Sequence, residues 1–302
     1  MEFYQLYPSE FQDLLQRDYG SESYIGQGNP ASKILIIGKE CAAPKILKDG
    51  KECIVPSPEF IQNASTWKRK SPENIENWVN LPYYMPEKYH PRCPYLGQLL
   101  LERKKNNKGT SPTWIAYQRF INLLLPKDLQ VQPRQQLNFW EHCFLTELSS
   151  NCMPQSKKNE TTKESIEQRL GPNGILTHPF FKQFPVVILG VYHYIDWYKD
   201  IPIVQNFDGG IMNYTYKGIV VSEETYSQYD EKTRERLPLY SLYRIKNELE
   251  KGEFFNVHES ADGKHLLLHT NHFLIKKGRK SQPRSDKWMK VLADLVLPYL
   301  NK

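Results

Sequence analysis

The sequence predicts an α/β fold, a three-layer α/β/α sandwich in which helices cover both faces of a four-stranded parallel sheet. Two observations lead to this prediction. Four separated segments are apolar at almost every position, which is typical of strands buried on both faces. Segments with a helical spacing of apolar residues lie between them. The four apolar segments are residues 33–38, 142–148, 185–190 and 265–269.

The helices are predicted from apolar residues that recur three and four positions apart. The first lies within residues 1–20 and ends at a glycine. Another begins near Ser111, where Pro112 suits a first turn because that position needs no N–H donor. Residues 155–170 are expected to form a loop that enters a helix, and residues 287–300 a last helix with one apolar face.

Residues 203–262 do not alternate cleanly between helix and strand, although residues 218–221 fit a strand and residues 240–251 fit a helix. The sequence contains no internal repeat, and no linker divides it into two domains. We therefore expect a single domain over residues 1–302, with an insertion at about 203–262.

Composition restricts the class of protein. The chain has 302 residues, with 40 Lys and Arg against 34 Asp and Glu, which gives a formal net charge of +6. Its 39% of hydrophobic and 25% of charged residues are ordinary for a globular protein and exclude a disordered or fibrous chain. The positive balance permits a polyanionic partner without requiring one. The 13% of aromatic residues fits either base-stacking surfaces or core and groove lining.

The sequence also bears on compartment and cofactors. No apolar segment is long enough for a membrane helix, and the N-terminus lacks the basic and apolar regions of a signal peptide. The five cysteines are odd in number and show no C-x-x-C spacing, which disfavours a disulfide framework, a zinc ribbon and an iron–sulfur cluster. We therefore expect a cytoplasmic protein with no cofactor, no metal and no membrane partner.

Polar residues follow each predicted strand. In a parallel α/β sheet, ligands bind beyond the carboxyl ends of the strands, so we expect Glu40, Thr146, Tyr192 and His269 to line a common cleft there. The sequence has no G-x-G-x-x-G after a strand, no P-loop motif and no G-x-S-x-G nucleophile elbow. This argues against a dinucleotide-binding site, a P-loop nucleotidase and a serine hydrolase of that design.

Residues 28–40, Gly-Asn-Pro-Ala-Ser-Lys-Ile-Leu-Ile-Ile-Gly-Lys-Glu, resemble the opening of the uracil-DNA glycosylase superfamily, with its pattern G-N-P-x-A-x-I-L-x-I-G. In the same order, residues 144–147 resemble the second strand of that family and residues 186–190 its glycine-terminated third strand. His269-Thr270-Asn271 resembles the H-P-S motif that ends the fourth strand. The resemblance covers residues 24–273 and implies a uracil-DNA glycosylase-like fold.

The sequence departs from the family in three places. The proline of the first motif is delayed to Pro44, and Thr270 and Asn271 replace the proline and serine of the last motif. Residues 203–262 match no part of the family. The fold tolerates such changes better than the activity does.

The resemblance implies a role for the residues near these strand ends. A glycosylase draws the target nucleotide out of the base stack and holds it in a pocket. Glu40 matches the carboxylate that stabilises positive charge on the sugar and orients water, and His269 matches the donor to the departing base. The implied base-binding residues are Thr146, Glu147, Tyr192, Asn271, Phe60 and Trp67, and the implied DNA-binding residues are Gly38, Lys39, Phe273, Lys276, Lys277, Arg279 and Lys280.

Ordinary structural alternatives stay open for these residues. The alternative for Glu40 is a surface ion pair, and for His269 a fully hydrogen-bonded histidine that closes the sheet. The alternative for the aromatic residues is core packing, and for the basic segment after Phe273 a solvated loop. Thr146 and Glu147 stand where the family has an amide, and neither is expected to offer both the donor and the acceptor of an amide.

The function implied by the resemblance is a DNA base-excision glycosylase that hydrolyses the N-glycosidic bond of uracil or a related damaged base. It would act as a monomer, without a cofactor, on single- or double-stranded DNA. Two alternatives stay open. One is a catalytically altered or inactive nucleic-acid-binding protein of the same fold. The other is an α/β hydrolase-like enzyme that acts on a nucleoside or a small metabolite.

Overall fold

The computed structural model describes residues 3–19, 24–41, 45–48, 51–54, 60, 62–69, 90–94, 112–132, 137–153, 156–241, 248–277 and 280–302. The chain divides into two compact units. The first unit comprises Met1–Thr110, Trp140–Gln183 and His193–Ile211, and the second comprises Ser111–Phe139, Phe184–Tyr192 and Met212–Lys302. Among the described residues, no helix has both the length and the apolar character needed to cross a membrane.

The strands are short, with between two and seven residues each. In chain order they are β1 (Gln27–Gly28), β2 (Ile34–Gly38), β3 (Lys45–Lys48), β4 (Lys51–Ile54), β5 (Phe144–Glu147), β6 (Val186–Leu189), β7 (Thr215–Val221), β8 (Phe254–Glu259), β9 (Leu266–Thr270), β10 (Leu274–Lys277) and β11 (Lys280–Pro283).

Several of the α-helices are single turns, and two long ones carry apolar faces. In chain order the helices in the described part of the chain are α1 (Ser9–Gln16), α2 (Asn63–Arg69), α3 (Pro112–Leu124), α4 (Glu160–Arg169), α5 (Tyr194–Trp197), α6 (Ile203–Asn206), α7 (Glu223–Ser227), α8 (Glu231–Arg236) and α9 (Asp286–Leu300).

The fold class is α/β, with seven strands in one sheet in the order β1-β5-β2-β6-β9-β8-β7. β2 pairs with β5, and β6 pairs with β9, in parallel. β1 pairs with β5, β8 with β9, and β7 with β8, all antiparallel. The four predicted strands are confirmed as β2, β5, β6 and β9. The prediction of a sheet with only four strands, all parallel, is wrong because three further strands join it with antiparallel pairing.

Residues 218–221, which fit a strand by sequence, lie within β7, and the two missed strands, β1 and β8, have a different residue pattern. Every residue of β2 and of β6 is buried, so an unbroken apolar segment marks each of them. In β8, buried and half-buried residues alternate, as in a strand that is covered on one face. β1 has only two residues, too few to show any pattern. The segment expected as an insertion, residues 203–262, contains β7 and β8, and both strands belong to the sheet.

In the first unit, the predicted N-terminal helix is confirmed as α1, which buries Phe11, Leu14 and Leu15. The Phe11 ring lies 4.9 Å from the Trp67 ring, centroid to centroid. Helix α4 begins where the Asn159 side chain accepts a hydrogen bond from the Thr162 N–H, a typical N-cap that satisfies one free donor of the first turn.

In the second unit, α3 and α9 contact each other and carry buried apolar faces. The Ser285 side chain caps α9 by accepting a hydrogen bond from the Trp288 N–H. Helix α9 confirms the helix predicted for residues 287–300, and α3 confirms the one predicted to begin near Ser111. Residues 242–247, within the helix predicted for residues 240–251, lie outside the described residues.

Candidate functional site

Two glutamates follow neighbouring parallel strands in the first unit. Glu147 is the last residue of β5 and pairs with Gly38 of β2, and Glu40 lies two residues beyond Gly38. The two chain segments stay together past the strands, since the N–H groups of Leu148 and Ser149 each donate 2.8 Å hydrogen bonds to the carbonyls of Gly38 and Lys39. Both acidic residues therefore lie at the carboxyl end of the β2–β5 pair, where α/β proteins bind ligands.

The Glu40 carboxylate accepts hydrogen bonds from two hydroxyl groups. The Ser156 hydroxyl donates to Oε1 over 2.5 Å, and the Tyr194 hydroxyl donates to Oε2. Tyr194 is buried at the start of α5, and the Lys39 ammonium lies 5.3 Å from the centroid of its ring. Burial lowers the pKa of Lys39, and the charge of Glu40 partly opposes that shift. Two hydroxyl donors thus hold the Glu40 side chain at the end of β2.

The Glu147 carboxyl group lies in a different environment. Its Oε2 atom is buried and has no hydrogen-bond partner among the residues that the structure describes. Burial raises the pKa of this carboxyl to about 8; the charge of Glu40 raises it further, and Arg169 lowers it. This shift favours the neutral form of the carboxyl near pH 7. A neutral carboxyl has one O–H donor as well as an acceptor, which a charged one lacks.

Gly38 provides the space for this carboxyl group. A Cβ atom at position 38 would lie 2.1 Å from the Glu147 Oε2 atom, far inside van der Waals contact. Gly38 is itself buried, so its predicted role in contacting DNA is not supported by exposed surface. Its role in the structure is to let the side chain of Glu147 lie across β2.

Arg169 and Thr146 are occupied within the protein. The Arg169 guanidinium is fully buried and donates to the Tyr24 carbonyl over 3.0 Å and to the Thr146 hydroxyl over 3.3 Å. The Thr146 hydroxyl donates in turn to the Ile25 carbonyl over 2.8 Å. Thr146 is thus a buried structural residue rather than a base-binding one, because both its donor and its acceptor already have partners.

Two half-buried cysteines, Cys41 and Cys152, lie close enough to the glutamates to interact with them electrostatically. Burial raises the pKa of both thiols, that of Cys152 to about 12, and the negative charge of Glu147 contributes to each shift. The thiolate is the reactive form of cysteine, so neither residue is poised to act as a nucleophile at pH 7.

In the second unit, His269 lies on β9 and is almost fully buried. Its Nε2 atom lies 3.0 Å from the Tyr192 carbonyl oxygen, and its Nδ1 atom lies 3.1 Å from the Asn256 side-chain nitrogen. A neutral ring with the proton on Nε2 satisfies both contacts, because Nδ1 then accepts from the amide. This arrangement corrects the role implied by the resemblance, since both ring nitrogens are already bonded within the protein.

Asn271 and Tyr192 differ in burial and in their contacts. The buried Asn271 side chain accepts from the Phe254 N–H over 3.0 Å and donates to the Gly252 carbonyl over 3.1 Å, so it is a structural residue and not a base-binding one. Tyr192 is half-buried, and its ring stacks on the Phe254 ring with the centroids 6.1 Å apart.

Two predicted stacking residues belong to the core of the first unit. Trp67 is fully buried and its Nε1–H donates to the Gly26 carbonyl. Phe60 is buried and stacks on the Tyr24 ring, centroid to centroid, at 4.3 Å. The base-binding role of both residues is corrected to core packing because neither exposes a ring face to solvent.

The predicted wedge and basic segment lie in the second unit. Phe273 is buried against the rings of Tyr117 and Trp288, so it is not an exposed wedge. Lys276 is exposed on β10. Lys277 ends β10 and Lys280 begins β11 opposite it, while Arg279 and the side chains of Lys277 and Lys280 lie outside the described residues.

Glu40 and Thr146 belong to the first unit, and Tyr192 and His269 belong to the second, so their common cleft stays a prediction.

The sequence reasoning missed the partners of Glu40, which are Ser156 and Tyr194. Ser156 lay in a segment read only as a charged loop, and no local pattern connects either residue with a position more than 100 residues away. Within the described part of the chain, no three His, Cys, Asp or Glu side chains form a group that could hold a metal ion.

No protein-family model, no curated protein and no solved structure gives a significant match to the chain.

Proposed function

We propose that this protein hydrolyses the N-glycosidic bond of uracil, or of a related damaged base, in DNA. The observation that carries the proposal is the pair of glutamates at the carboxyl end of β2 and β5, one held by two hydroxyl donors and the other with a pKa that burial raises to about 8. Two carboxyl groups in different environments are a common basis of glycosidic bond hydrolysis, since one can be charged while the other stays protonated. The resemblance of residues 28–40 to the glycosylase superfamily supports the same chemistry.

Glu40 is the catalytic carboxylate in this proposal. When the C–N bond breaks, its electron pair leaves with the base, and positive charge develops on the sugar. The carboxylate stabilises that charge and orients a water molecule, whose oxygen bonds to the sugar carbon while its proton passes to Glu40. Ser156 and Tyr194 hold the carboxylate in one orientation, which favours a single position for the water.

Glu147 recognises the base. Uracil presents a ring N–H beside a carbonyl oxygen, and a neutral carboxyl group matches both with its acceptor oxygen and its O–H donor. The buried Oε2 atom has no partner among the described residues, so base binding would satisfy a group that otherwise lacks a hydrogen bond. Deprotonation removes the donor, so recognition of uracil fails above a pH of about 8.

The DNA partner is proposed from charge. The net charge of +6 and the exposed Lys276 suit contacts to phosphates, which provide most of the affinity of sequence-independent DNA binding. The free thiols of Cys41, Cys93, Cys143 and Cys152 suit the reducing cytoplasm. We propose that the protein acts there as a monomer, and that the uracil-DNA glycosylase-like sandwich is its fold.

The test is single-turnover excision from uracil-containing single- and double-stranded oligonucleotides, with alkaline cleavage of the product. We expect the parent protein to excise uracil, and Glu40→Gln to lower the rate by ~10²-fold or more without weakening DNA binding. Glu147→Gln retains a donor and an acceptor, so it should keep activity and lose the decline above a pH of about 8. Glu160→Gln, an exposed residue in the first turn of α4, is the matched control.

Three outcomes contradict parts of this proposal. A Glu147→Gln variant inactive at every pH indicates that Glu147 donates a proton rather than reads the base. An unchanged rate in Glu40→Gln removes Glu40 from the catalytic machinery. DNA binding without excision of any base favours the alternative, a catalytically altered nucleic-acid-binding protein of the same fold. The fully bonded ring of His269 is consistent with this alternative.

A further inference from the structure

The hairpin formed by β10 and β11 belongs to a segment whose charges are all positive. Residues 274–285 contain no Asp or Glu, and their five cationic residues are Lys276, Lys277, Arg279, Lys280 and Arg284. In the hairpin, Lys277 pairs directly opposite Lys280. Like charges that lie directly opposite each other destabilise an antiparallel pair. This arrangement therefore costs the hairpin stability, and a bound anion would remove that cost.

The base of the hairpin is fixed by one buried residue, Arg284, which follows β11. Its N–H donates to the Phe273 carbonyl over 3.0 Å, and its Nε–H donates to the His272 carbonyl over 2.7 Å. Both bonds lie just outside the first pair of the hairpin, in which Leu274 is opposite Pro283. These bonds therefore hold the two ends of the hairpin together.

The Arg284 guanidinium is held by a buried ion pair. Its Nη1 atom lies 2.8 Å from the Glu253 carboxylate, and the two side chains are only 8% and 5% exposed. The guanidinium also lies 5.5 Å from the centroid of the buried Trp288 ring of α9. Burying an ion pair costs desolvation energy, and apolar residues of similar size often give equal or greater stability. The pair is therefore better explained by the orientation it imposes, which fixes the hairpin on the core of the second unit.

The hairpin presents polar side chains to solvent. Lys276 pairs opposite Ser281, and both residues are exposed, as is Gln282. Lysine suits phosphate contacts, and serine and glutamine can bond either phosphates or base edges. A two-stranded β-ribbon fits the major groove of B-form DNA, which is about 12 Å wide, whereas the minor groove is only about 6 Å wide. The shape and the side chains of the hairpin therefore suit a duplex.

We propose that the β10–β11 hairpin enters the major groove of double-stranded DNA, with its lysines against the phosphates, and that Arg284 and Glu253 are positioning residues for it. The resemblance in sequence implies DNA contacts for this basic segment but leaves open whether the DNA is single- or double-stranded. The choice of DNA as the polyanion rests on the proposed function. A single strand has no groove, so it would offer the hairpin phosphate contacts alone.

The experiment measures binding by fluorescence anisotropy with three probes of one sequence, none of which contains uracil. They are a DNA duplex, one of its single strands, and a duplex whose cytosines carry glucosylated 5-hydroxymethyl groups, which occupy the major groove. We expect the parent protein to bind the plain duplex about tenfold more tightly than either of the other probes. The reason is that only the plain duplex offers the hairpin an open major groove with phosphates on both sides.

Two variants assign the effect to the hairpin and to its positioning residues. The double variant Lys276→Gln/Lys280→Gln should lose most of the preference for the plain duplex. Glu253→Gln makes the protein more positive and should nevertheless weaken duplex binding several-fold, with no additional effect in the double-variant background. This loss of additivity identifies a positioning role, which a merely structural role would not produce. Glu248→Gln removes an exposed negative charge five residues earlier and is the matched control, whose duplex affinity should not fall.

Equal affinities of the parent protein for the plain and the glucosylated duplex, or for the duplex and the single strand, overturn the proposal. An unchanged duplex affinity in Glu253→Gln overturns the positioning role of the ion pair. Because no probe contains uracil, these results are independent of excision. A duplex preference that depends on the lysines, without excision of uracil, would support the groove contact and overturn only the proposed glycosylase activity. Excision of uracil without any duplex preference would overturn only the groove contact.

Discussion

The β2–β5 pair and the β6–β9 pair are both parallel and consist of buried strands, and polar residues lie at the end of each. The two pairs differ in whether those polar side chains have hydrogen-bond partners. At the first pair, Glu147 has a buried oxygen with no partner among the described residues and a pKa raised to about 8. At the second pair, both ring nitrogens of His269 are bonded to neighbouring groups. A similar position at a strand end therefore leaves a buried polar atom without a hydrogen-bond partner among the described residues in one case, and a histidine with both ring nitrogens bonded in the other.

The difference shows how to judge a candidate site residue. A buried polar atom normally has a hydrogen-bond partner, so one without a partner needs an explanation, such as a ligand that supplies the bond. A buried residue whose donors and acceptors are all used cannot serve a substrate without breaking the contacts that hold it. On this criterion Glu147 becomes the stronger candidate, and His269 becomes a support for Tyr192.

The largest effect that tests this comparison is the pH dependence of stability at Glu147. Its folded pKa of about 8 exceeds its ordinary value of 4.5, so between these values the unfolded chain loses the proton while the folded chain keeps it. The stability of the parent should therefore fall as the pH rises through this range, by up to ~5 kcal/mol. The glutamine of Glu147→Gln does not titrate. In urea unfolding, the free energy of unfolding of this variant should therefore rise relative to that of the parent between pH 4.5 and about 8.

The exposed Glu160→Gln serves as the control for that measurement, and its difference from the parent should not depend on pH in the same way. A constant stability difference between Glu147→Gln and the parent across the range would mean that Glu147 ionises normally. The two strand ends would then no longer differ in the way described.

The next effect concerns the bonded histidine. His269→Ala leaves the Tyr192 carbonyl and the Asn256 amide without their present partner, so we expect a loss of about 2 kcal/mol in the free energy of unfolding. Single-turnover excision by the folded fraction should stay within a few-fold of the parent. A ~10²-fold loss of rate with unchanged stability would restore the catalytic role that the resemblance implies, and the contrast with Glu147 would disappear.

The smallest effect sharpens the comparison by testing whether the second unit contacts phosphates. Lys276→Gln should lower the slope of log affinity against log salt concentration by about one for double-stranded DNA. Lys232→Gln removes an exposed charge from α8 and should leave the slope unchanged if DNA does not reach that helix. Equal slopes for the parent and Lys276→Gln would exclude the β10–β11 hairpin from the DNA interface.

Local pattern was enough to predict the buried strands and the main helices. β2, β5, β6 and β9 lie within the expected segments because a strand buried on both faces must be apolar throughout, and this is visible in a few consecutive residues. Residues 218–221, which fit a strand by sequence, are the buried end of β7, whereas β8 escaped that criterion because a strand covered on one face needs apolar residues only at alternate positions. Of the candidate site, Glu40 and Glu147 follow the strands as the sequence predicts, but the contacts of their side chains were not predictable.

The sequence by itself determined where the buried strands and long helices form and which polar residues follow them, because burial, capping and helical spacing act between near neighbours in the chain. Tertiary structure alone decided what those polar residues can do. Glu40 is bonded to residues 116 and 154 positions away, and the protonation of Glu147 depends on its burial across Gly38 and on the charges of Glu40 and Arg169. Hydrogen-bond supply and dielectric environment are properties of a folded neighbourhood, so they arise only when distant segments meet.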